Sequence, residues 1–395
     1  MTNVIEILRD LVSFNTVSSK PTAGILEYVI SRLEKVGFTC ETFGEDGRFQ
    51  NLIARNAAAI GWNPEAPRYR AFCGHVDTVP FDRNAWINDP FELTEVEGML
   101  HGLGASDMKG ALASMLVSLE SVAVSDPSAP LALVLTHHEE TALEGANELV
   151  RSTEAMARLQ PMQLIIGEPT GLSIGYAHKG VFDFSVTVRG RAAHSGSPHR
   201  GLNAIYAASE IVTSIAGLQV RWNETSDPRF ESGNAVNVGI LHGGDVRNRV
   251  PDQAELAGDA RLLPGTTPDE VIGVIERDCE RLRHHGFRCD LQKDFSAPAF
   301  EMDRDSGFIA ELHDITRSER LTLGYATDAA VLQGIGGLEC AVLGPGDIRV
   351  CHMPNECIEK RQLDAAVSLY SRILLNQPCA TVSGATVDID SRRPA

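Results

Sequence analysis

The strongest constraint on the fold is an alternation of short apolar runs with segments of helical periodicity. Residues 108–124 have the apolar spacing of a helix, and the apolar runs 131–136 and 164–166 follow with the composition of buried strands. The same character returns near the end of the chain, where residues 304–319 and 359–375 have helical spacing. This alternation predicts an α/β domain with a mixed sheet covered by helices on both faces.

The middle of the chain has a different rhythm. Residues 181–188, VFDFSVTV, alternate with a period of two, as a strand with one buried face does. From there the predicted order is strand, helix, strand, strand, helix, strand, which is the split unit of ferredoxin-like α+β domains. We therefore predict an inserted domain over residues 178–291, within a catalytic domain formed by residues 1–177 and 292–395.

Composition excludes several classes of function. The chain has 53 acidic and 35 basic residues and a formal net charge of -18, which disfavours nucleic acids and anionic membranes as partners. Its N-terminal stretch lacks the pattern of a signal peptide, and no apolar run reaches the roughly 18–20 residues of a membrane span. We expect a cytoplasmic enzyme.

The cysteines are scattered, and none forms a Cys-x-x-Cys pair. In a chain of 395 residues this pattern predicts free thiols in a reducing compartment. The eight positions are Cys40, Cys73, Cys279, Cys289, Cys340, Cys351, Cys357 and Cys379.

Histidines and carboxylates recur directly after the predicted strands, where open α/β sheets form ligand sites. His75 and Asp77 stand in CGHVDTVP after one apolar segment. A neutral imidazole is a good metal ligand, and Asp77 can hold its other ring nitrogen. The alternative is a surface loop.

Four further motifs supply candidate ligands of the same kind. Asp107 stands in GASDMKG just before a helix, where the alternative role is a helix cap. Glu139 and Glu140 follow a strand directly, and adjacent carboxylates need a cation or raised pKa values unless the loop is solvated. Glu168 follows another strand, and His352 precedes a proline turn.

Together these motifs supply mixed nitrogen and oxygen ligands and a free carboxylate, which is what a two-metal hydrolytic site requires. Two other classes stay open at this point. One is a non-catalytic metal-binding protein, which the loss of a ligand or of the base would indicate. The other is a cysteine hydrolase that uses Cys73 or Cys351, although no Cys-His-Asn arrangement emerges from the sequence.

The ordered motifs HVDTVP, GASDMKG, EETALEGA, GEPT and CHMPNE resemble the family of metal-dependent aminoacylases and peptidases that includes acetylornithine deacetylase and succinyl-diaminopimelate desuccinylase. The resemblance covers about residues 3–376. The segments GEPTGLSIGYAHKG, GILHGGDVRNRVP, DARLLPG and LGPGDIRVCHMPNE are most similar to the acetylornithine deacetylase branch. The chain has Met-Pro-Asn-Glu at residues 353–356 where some deacetylases have Gln-Pro-Asp-Glu, which leaves the substrate open.

The resemblance implies a ligand set for two divalent metal ions, Zn²⁺ or Co²⁺. His75 and Glu168 would bind one ion and Glu140 and His352 the other, while Asp107 would bridge them.

The resemblance also implies residues that act around the substrate. Glu139 would be the general base, and Asp77 would support the neighbouring histidine ligand. His194 of the inserted lid and dimerisation domain would cross to the active site of the partner in a homodimer and steady the oxyanion; otherwise it is an ordinary loop residue. Asn248 and Arg261 would contact the carboxylate end of the substrate.

These roles imply a metal-dependent amide hydrolase whose substrate is a small N-acyl amino acid. The branch that the segments resemble converts N-acetyl-L-ornithine and water to L-ornithine and acetate in arginine biosynthesis. The alternatives within the family are deacylation of acetylcitrulline, of succinyl-diaminopimelate or of a similar compound, and dipeptidase or carboxypeptidase activity.

Overall fold

The computed structural model describes residues 3–44, 47–63, 65–224 and 226–377. Within these residues the α-helices are α1 Val4–Ser13, α2 Ala23–Glu34, α3 Ala57–Ile60, α4 Gly110–Ser125, α5 Glu139–Ala142, α6 Glu144–Arg151, α7 Thr153–Leu159, α8 Ala204–Trp222, α9 Asp269–His284, α10 Gly307–Thr316, α11 Ala329–Leu332 and α12 Lys360–Leu374. The strands are β1 Phe38–Phe43, β2 Asn51–Asn56, β3 Tyr69–His75, β4 Thr94–Val96, β5 Met99–His101, β6 Ala132–Thr136, β7 Met162–Pro169, β8 Ile174–His178, β9 Gly180–Arg189, β10 Ala193–His194, β11 Ala235–Gly243, β12 Arg249–Val250, β13 Gln253–Leu262, β14 Arg288–Ala297, β15 Phe300–Glu301, β16 Arg320–Leu323, β17 Glu339–Gly344 and β18 Cys357–Glu359.

A mixed sheet forms the centre of the molecule. Its order is β1-β2-β6-β3-β7-β17-β8-β15, and β16 also pairs with β8. The inner strands β6, β3, β7 and β17 are parallel, whereas β2 and β8 run antiparallel to their inner neighbours. Parallel strands end at the same edge of a sheet, so four carboxyl ends meet on one side, where ligand sites form.

Apolar cores cover both faces of this sheet. In β3, Phe72 packs into the core that contains α1, α4 and α12, whereas Ala71 and Cys73 pack into the core that contains α6 and α11. Successive side chains of a strand point to opposite faces, so a strand covered on both sides is apolar throughout. The predicted α/β fold class with helices on both faces is confirmed.

Helix α4 is the most apolar long helix of this core. With the turn before it, residues Ala105–Ser125 are long and apolar enough to cross a membrane by length and composition alone. Most of this segment is buried against α1, α12 and the sheet, as expected for a helix in a protein core. The segment is therefore weak support for a membrane span.

A second sheet contains β11, β13, β9 and β14 in that order, all antiparallel. The chain order is β9-α8-β11-β13-α9-β14, which is the ferredoxin-like arrangement. Alternate residues of β9 are buried against α8 and α9, as the period of two predicts: Phe182, Phe184, Val186 and Val188. We call this unit, from β9 to β14, the lid; its predicted limits of 178 and 291 as a domain remain a prediction.

The last strand of the lid is longer than its sequence indicates. The predicted inserted domain ends at residue 291, but β14 continues to Ala297, which pairs with Val181 of β9. The register shifts between Lys293 and Phe295, which is a β-bulge. A bulge interrupts the alternation of inward and outward side chains, so the residue pattern does not predict the second half of the strand.

Two of the cysteines differ from the prediction of free thiols. Cys279 of α9 and Cys289 of β14 form a disulfide, with their Cα atoms 5.1 Å apart. The helix packs directly on the strand that follows it, and this brings two buried side chains face to face. Disulfides are rare in reducing compartments, so this pair does not support the expected cytoplasmic location, which stays a prediction. Among the described residues the free cysteines are Cys40, Cys73, Cys340, Cys351 and Cys357, and Cys379 lies outside the described residues.

Candidate active site

The parallel strands bring the predicted ligands to one edge of the sheet. His75 is the last residue of β3, Glu168 lies near the end of β7, and Glu139 and Glu140 begin α5 just after β6. His352 lies between β17 and β18. The surface-loop alternative for His75 is wrong, because only 1% of this residue is exposed.

Asp107 reaches the same edge from the turn that precedes α4. Its Oδ1 lies 3.0 Å from His75 Nε2, and its Oδ2 lies 3.4 Å from His352 Nε2. Helix α4 begins at Gly110, and its first turn has no side-chain cap, so the capping alternative for Asp107 is wrong. A carboxylate with one oxygen towards each of two histidines has the geometry of a bridging ligand.

The candidate ligand atoms fall into two groups that share Asp107. Those of His75, Asp107 and Glu168 lie within 4.8 Å of one another, and so do those of Asp107, Glu140 and His352. His75 Nε2 is 3.6 Å from Glu168 Oε1, and His352 Nε2 is 2.8 Å from Glu140 Oε2. Glu168 Oε1 is buried without a hydrogen-bond partner, as suits an atom that faces a cation.

The carboxylates of this cluster are electrostatically unfavourable in the metal-free protein. Burial raises the pKa of Glu139 well above its ordinary value, and Glu168 raises it further although His75 opposes this. Burial and the charge of Asp107 also raise the pKa of Glu168 and the pKa of Glu140. Buried carboxylates that repel one another require protons or cations, so this donor set fits two divalent ions.

The histidines and Asp107 stabilise one another when no cation is bound. Hydrogen bonds to Asp107 and Glu140 raise the pKa of His352 to about 10. Burial lowers the pKa of His75, but Glu168 and Asp107 outweigh burial and raise it well above the ordinary value. Burial raises the pKa of Asp107, yet hydrogen bonds with both histidines outweigh this and lower it. A metal ion must displace these imidazole protons, so metal binding in this site depends on pH.

Asp77 contacts the histidine ligand in a different way from the one expected. His75 Nδ1 lies 2.9 Å from the main-chain oxygen of Asp77, whereas the carboxylate is 3.7 Å away. The carboxylate instead accepts hydrogen bonds from the main-chain N–H groups of Glu139 and Glu140 and from the hydroxyl of Ser18. The start of α5 leaves these N–H groups without helical partners, which explains why the carboxylate turns to them. Either contact leaves His75 Nε2 free for a metal ion.

A cavity of about 610 Å³ opens over the cluster and separates it from the lid. Arg261 of β13 lines the lid side of this cavity, and its Nε donates to Asp259 at 3.1 Å. The other residues that line the cavity include Asp107, Glu139, Glu140, Glu168, Val181, Asp183, Phe295, Tyr325 and His352. Glu139 and Glu140 are partly buried at the start of α5, and the Glu140 side chain is only 5% exposed, so the solvated-loop alternative is wrong.

Two predicted substrate residues lie away from this cavity. His194 is exposed in β10, which pairs with β12, and the main-chain oxygen of the exposed Asn248 accepts a hydrogen bond from Ser195 N at 3.1 Å. His194 and Asn248 thus lie side by side on the lid. Within a single chain, neither belongs to the residues that line the cavity.

Sequence reasoning assigned no role to Glu356, which the structure places directly behind the cluster. Its buried carboxylate accepts hydrogen bonds from the main-chain N–H groups of Gly104, Ser106 and Asp107 at 3.0, 2.8 and 3.0 Å. Burial and the charge of Asp107 raise the pKa of Glu356 to about 7. Glu356 therefore fixes the turn that carries the candidate bridging ligand. Its position in the CHMPNE motif was the available signal.

A second missed segment follows β16. Asp328 is fully buried and accepts a hydrogen bond from Thr136 Oγ1 at 2.5 Å, at the end of β6. Tyr325 lines the cavity, and its hydroxyl donates to the main-chain oxygen of Pro169 at 3.1 Å. The polar pair of Thr327 and Asp328 after a strand was the signal that could have found this segment.

The two cysteines of the rival hydrolase class are poor nucleophiles. Cys73 is fully buried in β3, and burial raises its pKa well above the ordinary value. Cys351 lines the cavity, but burial also raises its pKa, with Asp107 adding to the effect. Reactive cysteines instead have lowered pKa values, so the structure disfavours a cysteine hydrolase.

Comparisons with known proteins agree with this geometry. Residues 71–376 match peptidase family M20/M25/M40. The acetylornithine deacetylase of Proteus mirabilis (strain HI4320) is 31% identical over 385 residues, which cover 94% of this chain and 96% of that protein. The M20 family metallo-carboxypeptidase Sso-CP2 from Sulfolobus solfataricus has a TM-score of 0.76 at 16% identity, covering 95% of this chain and 99% of that one.

A further solved structure, the YXEP protein of Bacillus subtilis, is a dinuclear metal-binding peptidase of the M20 family. It has a TM-score of 0.66 at 16% identity and covers 94% of this chain and 96% of that one. Likeness at this level of identity shows a shared fold, and the family match over most of the chain shows shared descent. The chain belongs to peptidase family M20/M25/M40 and is a metal-dependent hydrolase.

Proposed function

We propose that this hydrolase is a deacetylase that converts N-acetyl-L-ornithine and water to L-ornithine and acetate, as a step of arginine biosynthesis. The observation that carries the proposal is the 31% identity to an acetylornithine deacetylase along nearly the full length of both chains. A cavity of about 610 Å³, lined by the carboxylates of the cluster and, on the lid, by Arg261 and Asp183, suits a small substrate that carries charges of both signs.

We propose that the cluster holds two divalent ions, Zn²⁺ or Co²⁺. His75 and Glu168 would hold one ion, Glu140 and His352 the second, and Asp107 both. Two ions held in this way supply Lewis acidity to the scissile carbonyl and make water a nucleophile near neutral pH. The shared position of Asp107 between the two histidines supports this assignment.

Glu139 is the proposed general base. It lines the cavity, and its main-chain N–H is held by Asp77 at 3.1 Å, which orients the start of α5. Burial raises its pKa, and a general base works best when its pKa lies near the operating pH. Glu139 would take a proton from the attacking water and later donate it to the leaving amine.

Arg261 is the proposed partner of the α-carboxylate of the substrate. A guanidinium can hold a carboxylate through two parallel hydrogen bonds. Arg261 faces the cluster across the cavity, so a substrate bound there would place its amide near the ligands and its carboxylate on the lid.

We further propose a homodimer formed through the lid. Strand β11 is an edge strand, because it pairs only with β13 among the described strands, and its Ile240 and Leu241 are exposed. A long edge strand with exposed apolar side chains is suited to pair with another chain. In such a dimer, His194 and Asn248 would line the cavity of the partner chain. This would explain why they lie away from the cavity of their own chain.

The direct test is to measure amine release from a panel of substrates by the zinc- or cobalt-loaded enzyme. The panel contains N-acetyl-L-ornithine, N-acetyl-L-citrulline, N-succinyl-diaminopimelate and a dipeptide. We expect the highest kcat/KM for N-acetyl-L-ornithine. A higher value for another member would replace the proposed substrate, and no hydrolysis of any amide would overturn the proposal.

A variant separates the role of Arg261 from the chemistry. Arg261→Ala should raise KM for acetylornithine much more than KM for its α-carboxamide, because only the acid can form the paired hydrogen bonds. Equal increases for acid and amide would remove this role from Arg261.

A further inference from the structure

A third group of candidate metal ligands lies at the end of β6 and shares no residue with the two groups described above. The ligand atoms of His137, His138 and Glu144 lie within 4.8 Å of one another. The Nδ1 atoms of the two rings are 2.9 Å apart, and His138 Nδ1 lies 3.3 Å from Glu144 Oε2. His137 is buried, whereas the side chain of Glu144 is 56% exposed, so the group is open to solvent on one side.

The other nitrogen of each ring has a partner that can only accept a hydrogen bond. His137 Nε2 lies 3.1 Å from Glu148 Oε2, and His138 Nε2 lies 2.7 Å from the main-chain oxygen of Ser18. A carboxylate and a carbonyl do not donate, so each Nε2 carries the hydrogen. If both rings are neutral, each Nδ1 is unprotonated and its lone pair faces that of the other ring. The two lone pairs repel each other unless a cation binds between them.

This arrangement is typical of metal-binding histidines. The nitrogen that does not bind the metal usually donates to a carboxylate or a carbonyl, and both rings do so here. Glu148 is held in turn by Asn51 Nδ2 at 3.2 Å. Ligands about 2.0–2.1 Å from a tetrahedral ion lie roughly 3.3 Å apart, so the rings need to separate by only a few tenths of an ångström.

We propose that His137, His138 and Glu144 form a third, non-catalytic metal site for a divalent ion of the zinc class. The ion would join the first turn of α6 to the segment that directly precedes Glu139 and Glu140 in the active site. Its role would be to hold that segment in place, with solvent completing the coordination beside Glu144.

The test is equilibrium dialysis of the full chain against a series of buffered free Zn²⁺ concentrations, with bound zinc measured by mass spectrometry. We expect wild type to bind one equivalent more than Glu144→Gln in the range where the third site fills, with that site at least tenfold weaker in the variant. Glu144→Gln keeps the size of a half-exposed side chain, and His138→Gln is the second variant. His199→Gln changes an exposed histidine of the lid and should bind like wild type.

The difference in bound zinc between wild type and Glu144→Gln decides whether the third site exists. Identical isotherms for wild type, Glu144→Gln and His138→Gln would mean that a shared proton, and not a metal ion, lies between the rings, and would overturn the proposal. If the active site does not bind two ions, wild type and every variant will bind less zinc in total, but the difference in bound zinc between wild type and Glu144→Gln will remain. Anomalous diffraction at the zinc edge should show a peak beside both Nδ1 atoms.

Discussion

Glu139 and Glu140 are adjacent in the sequence, but their side chains have different surroundings. Glu140 Oε2 lies 2.8 Å from His352 Nε2, whereas the surroundings of Glu139 are dominated by burial and by nearby charges. We predict that Glu139→Gln binds its metals normally and loses at least the 10²–10⁴-fold in kcat that general acid–base help typically contributes. Metal analysis and steady-state kinetics on the same preparation measure both.

Glu140→Gln is the matched control, because it should lose one metal equivalent. If Glu139→Gln loses metal while Glu140→Gln keeps it, the roles of the two residues are reversed.

Glu356 gives a second prediction at the scale of single residues. Its two oxygens accept three main-chain N–H groups from the turn that carries Asp107, and an amide replaces one of those acceptors with a donor. We expect Glu356→Gln to weaken metal binding by about 10–100-fold, the usual effect of losing an outer partner of a ligand. The free energy of unfolding should also fall by about 1–3 kcal/mol, since a buried N–H is left without an acceptor.

Zinc titration and denaturant unfolding measure these two effects. Glu359→Gln, at a more exposed carboxylate three residues later, should change neither quantity. Unchanged zinc affinity in Glu356→Gln would contradict a positioning role.

The sequence indicated which side chains meet in the candidate site better than it indicated which main-chain contacts support them. His75 and Glu168 stand at the ends of parallel strands, whose common direction brings both to one edge of the sheet, whereas Asp107 reaches that edge from the turn before α4. The contact of the Asp77 carbonyl with His75 depends on the local path of the backbone, which no residue pattern specifies. Glu356 acts through the N–H groups of residues about 250 positions away, so its role requires the folded chain.

At the scale of elements, the close approach of β17 to β7 positions Glu168. A Cβ atom added at Gly344 would collide with the main-chain oxygen of Gly167 and lie 2.6 Å from that of Glu168. We predict that Gly344→Ala separates the strands at this point, destabilises the protein by roughly 1–3 kcal/mol and lowers zinc affinity. Denaturant unfolding and zinc titration measure the change.

Gly307→Ala is the matched control. Gly307 begins α10, and an added Cβ would have no atom within 4 Å. Alanine is favoured over glycine in helices, so this variant should be unchanged or more stable by up to about 0.5–1 kcal/mol. Equal stability of the two variants would show that β17 and β7 can accommodate the methyl group.

Long elements with one clear period were predictable, and short ones were not. The period of two in β9 and the helical spacing that predicts residues 359–375 match β9 and α12 closely. The three-residue strands β4, β5 and β18 form a small sheet that joins distant parts of the chain. Such short strands depend on their partners and not on local propensity, so no local pattern indicates them.

At the scale of the whole molecule, the acidic cluster links metal content to stability. In the metal-free protein the pKa of His352 is raised from 6.5 to about 10 by Asp107 and Glu140, so the folded state keeps a proton that the unfolded chain releases. Stability from this group is fully present below about pH 6.5 and is lost as the pH rises towards about 10. The raised pKa values of Glu139 and Glu168 act in the same direction above their ordinary value of 4.5.

We therefore predict that the melting temperature of EDTA-treated wild type falls, relative to that of EDTA-treated His352→Gln, as the pH rises from about 6.5 to about 10, because the comparison removes the opposite effect of buried Lys109, whose pKa burial lowers to about 7. The metal-loaded protein should show a smaller fall, because bound cations replace the protons. Differential scanning fluorimetry across this range measures both. A melting temperature of EDTA-treated wild type that rises with pH relative to that of EDTA-treated His352→Gln would contradict the prediction.

The proposed dimer gives the last prediction, since it requires one active site to contain residues of two chains. His194→Ala should lose about 10²–10³-fold in kcat if its imidazole donates to the oxyanion. Glu139→Gln should be inactive through loss of the base.

When the two variants are mixed and subunits exchange, each hybrid dimer has one cavity with Glu139 intact and His194 supplied by the other chain. Activity should return to about half of the wild-type value per hybrid, because one of the two cavities is complete. Differently tagged chains measure the exchange, and each variant mixed with itself is the control. Confirmed exchange without recovered activity would mean that His194 does not act across the interface, and the position of this residue beside Asn248 would then need another explanation.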